Sequence, residues 1–158
     1  MAVRSDKMSK FHPSSDDFLM EEFPFYWVAK VNSCYSVEME KTLKLLNMDI
    51  SRWRVAVLLH VHDEMSISDI AEHAFAKLPT ITKIVYRMRD EGLVSVNISE
   101  SDGRVVIVSL TEKGEENIAT VLETTQKLFK KAFKGFTEAQ IKKTNLYLSR
   151  LFANLSDD

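Results

Sequence analysis

Between Lys77 and Arg89 the chain carries four basic side chains, Lys77, Lys83, Arg87 and Arg89, and no acid. Pro79, Thr80, Thr82 and Tyr86 are interleaved with them, so hydroxyls stand beside cations. Groups of these types bind phosphate oxygens and base edges. The whole chain has a formal net charge of −2, so this stretch reverses the local sign. Charge runs alone are usually solvated surface. Here the run lies on a predicted helix. Leu78, Ile81, Ile84, Val85 and Met88 make an apolar stripe, and Pro79, Thr80, Lys83, Tyr86 and Arg87 lie around the wheel from it. Arg104 adds a further cation just after Asp102-Gly103. A guanidinium at such a tip could enter a minor groove or hold phosphates.

Two elements must position these groups. A short helix precedes the basic one: Ser66 with Asp69 is a capping signal, and Ile67, Ile70, Ala71 and Ala74 recur on one face. Gly92 ends the second helix. Val94, Val96 and Ile98 then alternate with Ser95, Asn97 and Ser99, and the chain returns through Arg104 to Leu110. Asp-Gly between β-branched runs predicts a hairpin. A short helix packed on a second helix with a basic, hydroxyl-bearing face suits a DNA major groove.

The remainder reads as helix. Residues 1–15 are polar and mixed, a predicted flexible arm. Residues 16–47 read as helix started afresh at Pro24, which fits a first turn. Ser51 is placed to cap the next helix, through Trp53, Val57 and Leu58 to His62. Thr111 is the predicted cap of a long helix that Gly135 ends, and Thr137 with Gln140 forms a capping box for the last one. The stripe Ile118, Val121, Leu122, Leu128, Phe129, Ala132 and Phe133, with Ile141, Leu148, Leu151, Phe152 and Leu155, needs partners beyond a small core. A second copy of the chain would supply them.

The sequence is 45% hydrophobic and 28% charged, with four Gly and three Pro, which favours long helices over a β-sandwich or disorder. No apolar run approaches a membrane span, and no signal-peptide core opens the chain. A reducing cytoplasm is the default. One cysteine excludes an intrachain disulfide framework.

The runs Ile70-Ala71-Glu72, Pro79-Thr80-Ile81-Thr82-Lys83-Ile84-Val85, Glu91-Gly92-Leu93-Val94, Asp102-Gly103-Arg104 and Leu110-Thr111-Glu112-Lys113-Gly114 follow one another in order. In these the chain resembles the MarR family of winged-helix transcriptional regulators, over nearly its whole length. The turn Phe75-Ala76-Lys77 departs from the pattern, in which a glycine and a small cap are common. The resemblance implies a mainly α fold: a winged helix-turn-helix with a two-stranded wing and N- and C-terminal dimerisation helices. Residues 48–114 would be the DNA-binding region, and 16–47 with 115–158 the dimerisation region. It implies a homodimer on a pseudo-palindromic double-stranded operator, most often as a repressor. The expected DNA-binding residues are Lys77, Pro79, Thr80, Thr82, Lys83, Tyr86, Arg87, Asp102 and Arg104. Effectors of this family include aromatic carboxylates bound between the dimerisation helices and the winged lobe. Tyr26, Trp27, Lys30, Trp53 and Arg54 are the constellation that would suit one, with aromatic walls and cations. The competing reading makes the aromatics core and pairs Arg54 with an acid.

Other chemistries are weaker. Cys34, four residues after Lys30, could sense oxidants on the same scaffold, although a free cysteine is most often a buried inert thiol. His60 and His62 with Asp63 and Glu64 suggest a metal, but an i, i+2 pair points in different directions on a helix. No metal or cofactor is expected. No nucleophile elbow, phosphate loop or zinc-protease motif supports an enzyme. A winged helix that serves protein contacts instead of DNA is the remaining alternative.

Overall fold

The computed structural model describes residues 9–156. Residues 1–8 of the expected arm lie outside that range. Ser9–Phe11 form a single 3₁₀ turn, and Lys10 pairs with Glu22 at 2.8 Å. Helix α1, Pro24–Lys44, starts with proline at its first position, as the sequence predicts. It buries only Met39 and Leu43, at its C-terminal end. Helix α2, Ile50–His62, is capped by Asp49, whose carboxylate accepts the Arg52 N–H at 2.9 Å. The predicted cap, Ser51, lies inside the helix. Asp49 wins because its two oxygens serve both the backbone and the side chain of Arg52.

A short strand β1, Glu64–Ser66, precedes α3, Ile67–His73. Ser66 accepts the Asp69 N–H at 3.1 Å and donates to the Asp69 carboxylate at 2.7 Å, the predicted cap. Helix α4, Leu78–Asp90, buries Ile81, Val85 and Met88. Strands β2, Val94–Ile98, and β3, Val106–Leu110, form the wing, in register from Val94↔Leu110 to Ile98↔Val106. The two-stranded wing gains a third strand, because β1 pairs with the other edge of β3, giving the order β1-β3-β2. The wing tip is longer than Asp-Gly suggests. Val105 N–H closes a turn on the Asp102 carbonyl at 2.9 Å, and Gly103 is not among the glycines at positive φ.

Helix α5, Glu112–Ala132, is capped by Thr111, and α6, Glu138–Ser156, by the Thr137–Gln140 box. The core gathers Leu43, Val55, Leu59, Ile70, Ile81, Val85, Met88, Val108, Ile118 and Val121. It therefore lies in the winged lobe, closed above by one end each of α1 and α5. Helix α6 buries no residue. Trp27, Val28 and Val31 of α1 and Tyr147, Leu148 and Leu151 of α6 line an apolar groove of 830 Å³ between the two helices.

Candidate nucleic-acid interface and ligand clefts

Helix α4 is held by its apolar stripe against the core, which turns Pro79, Thr80 and Lys83 to solvent, with Lys77 exposed at its N-cap. Thr82 and Tyr86 are half-buried. Thr82 donates to the Leu78 carbonyl at 2.8 Å, and the Arg89 guanidinium lies 4.7 Å from the Tyr86 ring centre. Both residues line a 380 Å³ cleft between the helix and the wing, with Ser66, Ser68, Leu78 and Arg104. Arg104 is 92% exposed. Its backbone N–H, at 3.0 Å, and its Nε, at 3.3 Å, both donate to Asp102 Oδ1. Asp102 thus sets the direction of Arg104 and is not itself a suitable phosphate contact, since like charges repel.

Arg87 sits differently from Lys83. Its Nε donates to Glu91 at 3.1 Å, and its Nη1 lies 3.9 Å from Asp49, so its charge is offset within the chain. The centre of that network is Arg52, a residue the sequence reading passes over. Arg52 is 6% exposed. It donates to Asp49 at 2.9 Å, to Glu91 at 2.6 Å and to the Asn47 carbonyl at 2.7 Å. The sequence held a signal for it: Arg52, Val55, Ala56 and Leu59 occupy i, i+3, i+4 and i+7 of one buried face. Arg52 ties the start of α2 to the end of α4. Arg52→Ala leaves two carboxylates short of a partner, but these are one-third to one-half exposed, so water compensates in part. We expect a loss of about 1–3 kcal/mol in a denaturant titration; an unchanged midpoint would show that the network adds nothing.

The five expected effector residues fall into two groups. At the start of α1, Lys30 Nζ donates to the Tyr26 hydroxyl at 3.1 Å and lies 5.0 and 5.4 Å from the Tyr26 and Trp27 ring centres. That hydrogen bond is the main reason the Lys30 amine is held above the usual lysine range. Trp27 Nε1 donates to the Glu21 carbonyl at 2.7 Å. On α2, Trp53 and Arg54 line a separate cleft of 360 Å³ with Val57, Leu58, His73 and Phe75. Trp53 Nε1 is buried and has no hydrogen-bond partner among the described residues. Arg54 is exposed and makes no salt bridge among the described residues. Tyr35 is the link between the groups: burial pushes its hydroxyl up, and the charge of Arg54 partly opposes that. The α2 cleft holds Trp53 and Arg54, and a cleft between α1 and α5 holds Trp27 and Lys30.

Cys34 is exposed rather than buried. It lines a 450 Å³ cleft between α1 and α5 with Trp27, Lys30, Glu38 and Lys131. His60 meets Glu115 at 3.1 Å, while the His62 and His73 rings lie tilted with centres 5.9 Å apart. Among the described residues no group of three or more His, Cys, Asp or Glu could hold a metal ion. Nor, among them, is any helix long and apolar enough to cross a membrane.

A basic helix lying across a shorter helix, beside a hairpin with an arginine at its tip, defines a winged-helix nucleic-acid-binding protein. Residues 48–106 match the MarR family. The chain is 50% identical over 147 residues to the HTH-type transcriptional repressor IacR of Pseudomonas putida, covering 93% of this chain and 88% of that one. Its fold is similar to that of a MarR variant from E. coli complexed with operator DNA, with a TM-score of 0.73, 17% identity and coverage of 93% and 99%. It is also similar to NadR in complex with 4-hydroxyphenylacetate, with a TM-score of 0.69, 22% identity and coverage of 82% and 89%. The chain belongs to the MarR family and is a DNA-binding transcriptional regulator.

Proposed function

We propose that the chain is a cytoplasmic, homodimeric, non-enzymatic repressor of a pseudo-palindromic operator, released by a small aromatic carboxylate. The observation that carries the DNA reading is the shared solvent face of Lys77, Thr80 and Lys83 with Arg104 across the cleft from α4. Lys83 and Thr80 reach base edges or the thymine methyl, and Lys77 and Arg104 hold phosphates on either side. Arg87 joins them only by giving up Glu91 for a phosphate, so its contribution is smaller than its charge suggests. The repressor assignment is supported by the likeness to IacR.

The effector reading is supported by the α2 cleft, where Arg54 offers an exposed cation on the same wall as the Trp53 side chain. NadR, similar in fold, was crystallised with 4-hydroxyphenylacetate. A carboxylate would pair with Arg54 while its aromatic ring packs against Trp53. The Tyr26–Trp27–Lys30 group is set apart from this cleft and is assigned here to the rim of the dimer face.

The test is selection of duplex fragments by the purified protein, followed by titration at rising salt. Operator affinity should fall steeply with salt through counterion release. Lys83→Ala is expected to cost about 1–3 kcal/mol and to relax the preferred sequence. Arg104→Ala should weaken all duplexes alike and lower the salt slope by about one. Absence of duplex binding at low salt would instead favour a protein-interaction module.

A further inference from the structure

Helix α3 ends in a hydrogen-bond pattern that ordinarily holds a glycine. Phe75 N–H donates to the Glu72 carbonyl at 3.0 Å, Ala76 N–H donates to the Ala71 carbonyl at 3.0 Å, and Phe75 sits at φ +51°. A large aromatic residue therefore occupies a left-handed position that disfavours it. Core packing does not explain the choice, since Phe75 is 79% exposed. Its ring borders two features of the fold. On one side it meets Phe152 of α6 edge to face, with ring centres 5.5 Å apart. On the other it lines the α2 cleft with Trp53, Arg54 and His73. Along the backbone, only Ala76 and Lys77 separate it from Leu78, the first residue of α4.

The geometry points to Phe75 as the positioning residue that couples occupancy of the Trp53–Arg54 cleft to the setting of the recognition helix α4, an inference that rests on the aromatic-acid reading above. A planar acid seated on Arg54 extends over the lining of that cleft towards Phe75. Moving the Phe75 ring breaks its contact with Phe152, and so loosens the helix-turn-helix from α6. It also acts on a strained backbone position that leads directly into α4. Ligand and operator thereby compete for the setting of one short turn, although neither needs to touch the other.

The experiment uses the full-length protein, its selected operator and 4-hydroxyphenylacetate as probe, with calorimetric titration in the presence and absence of operator. In the wild type the probe is expected to bind the operator complex more weakly, within the roughly 5–150-fold range usual for such coupling. Phe75→Gly removes the ring while keeping the backbone conformation relaxed; Phe152→Ala removes the partner ring without touching the turn. In both variants the ratio between the two titrations should fall towards one, and in Phe152→Ala, which leaves the lining of the cleft intact, probe affinity for the free protein should stay within about 3-fold. The salt slope of operator binding should stay as in the wild type, because no phosphate contact is lost. A full wild-type ratio in both variants overturns the role of Phe75 and leaves the effector reading standing. A wild-type ratio in Phe152→Ala beside mere loss of probe affinity in Phe75→Gly also overturns it, by making Phe75 a wall of the cleft and no more. Equal affinities in the wild type, or no binding at millimolar probe, overturn the effector reading and this inference together.

Discussion

Gly114→Ala is expected to destabilise the protein by about 3 kcal/mol or more, since the new methyl group has nowhere to go. A Cβ built on Gly114 lies 2.0 Å from the Leu93 carbonyl oxygen and 3.1 Å from Leu110 Cδ2. The closer atom is backbone, fixed at the start of the wing, and cannot rotate aside. That same carbonyl accepts the Thr111 N–H at 3.1 Å, and Thr111 Oγ1 donates to the Gly92 carbonyl at 2.7 Å. The junction of α4, wing and α5 would have to open as a unit. For a chain of this size such a loss lowers Tm by about 6–12 °C. Gly103→Ala is the control: its Cβ meets nothing within 4 Å, and the change should stay within about 0.5 kcal/mol. Thermal unfolding of the two variants side by side decides the matter; equal Tm values would mean the junction is looser than the structure shows.

Truncation after Gly135, which removes α6, is expected to leave a folded lobe unable to form the proposed dimer. None of the buried residues belongs to α6, so the core loses nothing. What is lost is the apolar surface of Leu146, Leu148 and Leu155, all exposed in the single chain. A lone winged lobe reads one half-site only. Linking two half-sites typically strengthens binding by about 10²–10⁴-fold, and operator affinity should fall by that order. Sedimentation and operator titration of the truncated chain test both parts. A truncated protein that remains a dimer with full affinity would place the interface elsewhere.

Much of this architecture is legible in the residues. Ser66, Thr111 and Thr137 announce their helices because a cap is a local event, set by one side chain and a backbone group three residues on. The stripe of α4 is legible for the same reason: helical spacing alone decides which side faces the core. Strand β1 is not, because three residues carry no periodicity, and their conformation is fixed by pairing with β3 far along the chain. Arg52 is hidden because its partners Glu91 and Asn47 come from other elements. The candidate ligand residues divide into two groups for a geometric reason. Trp53 and Phe75 share a cleft through the α3–α4 turn, whereas Tyr26 and Lys30 close on each other at the far end of α1. Spacing along the chain does not record which side of α2 meets which turn.

The strand order β1-β3-β2 also governs when this protein becomes competent during synthesis. Glu64 pairs with Ser109, so both helices of the helix-turn-helix and the first wing strand lie inside the loop that this pairing closes. Ordering so long a loop is slow compared with forming one helix, and it cannot begin before its far end exists. A nascent chain still short of Leu110 lacks the central strand, although every residue of α4 has already been translated. Helix α4 alone is too short to hold its shape in water. Ribosome-bound or prematurely terminated products that end within the wing therefore carry the recognition sequence without a rigid reading head, and do not compete with finished protein for the operator.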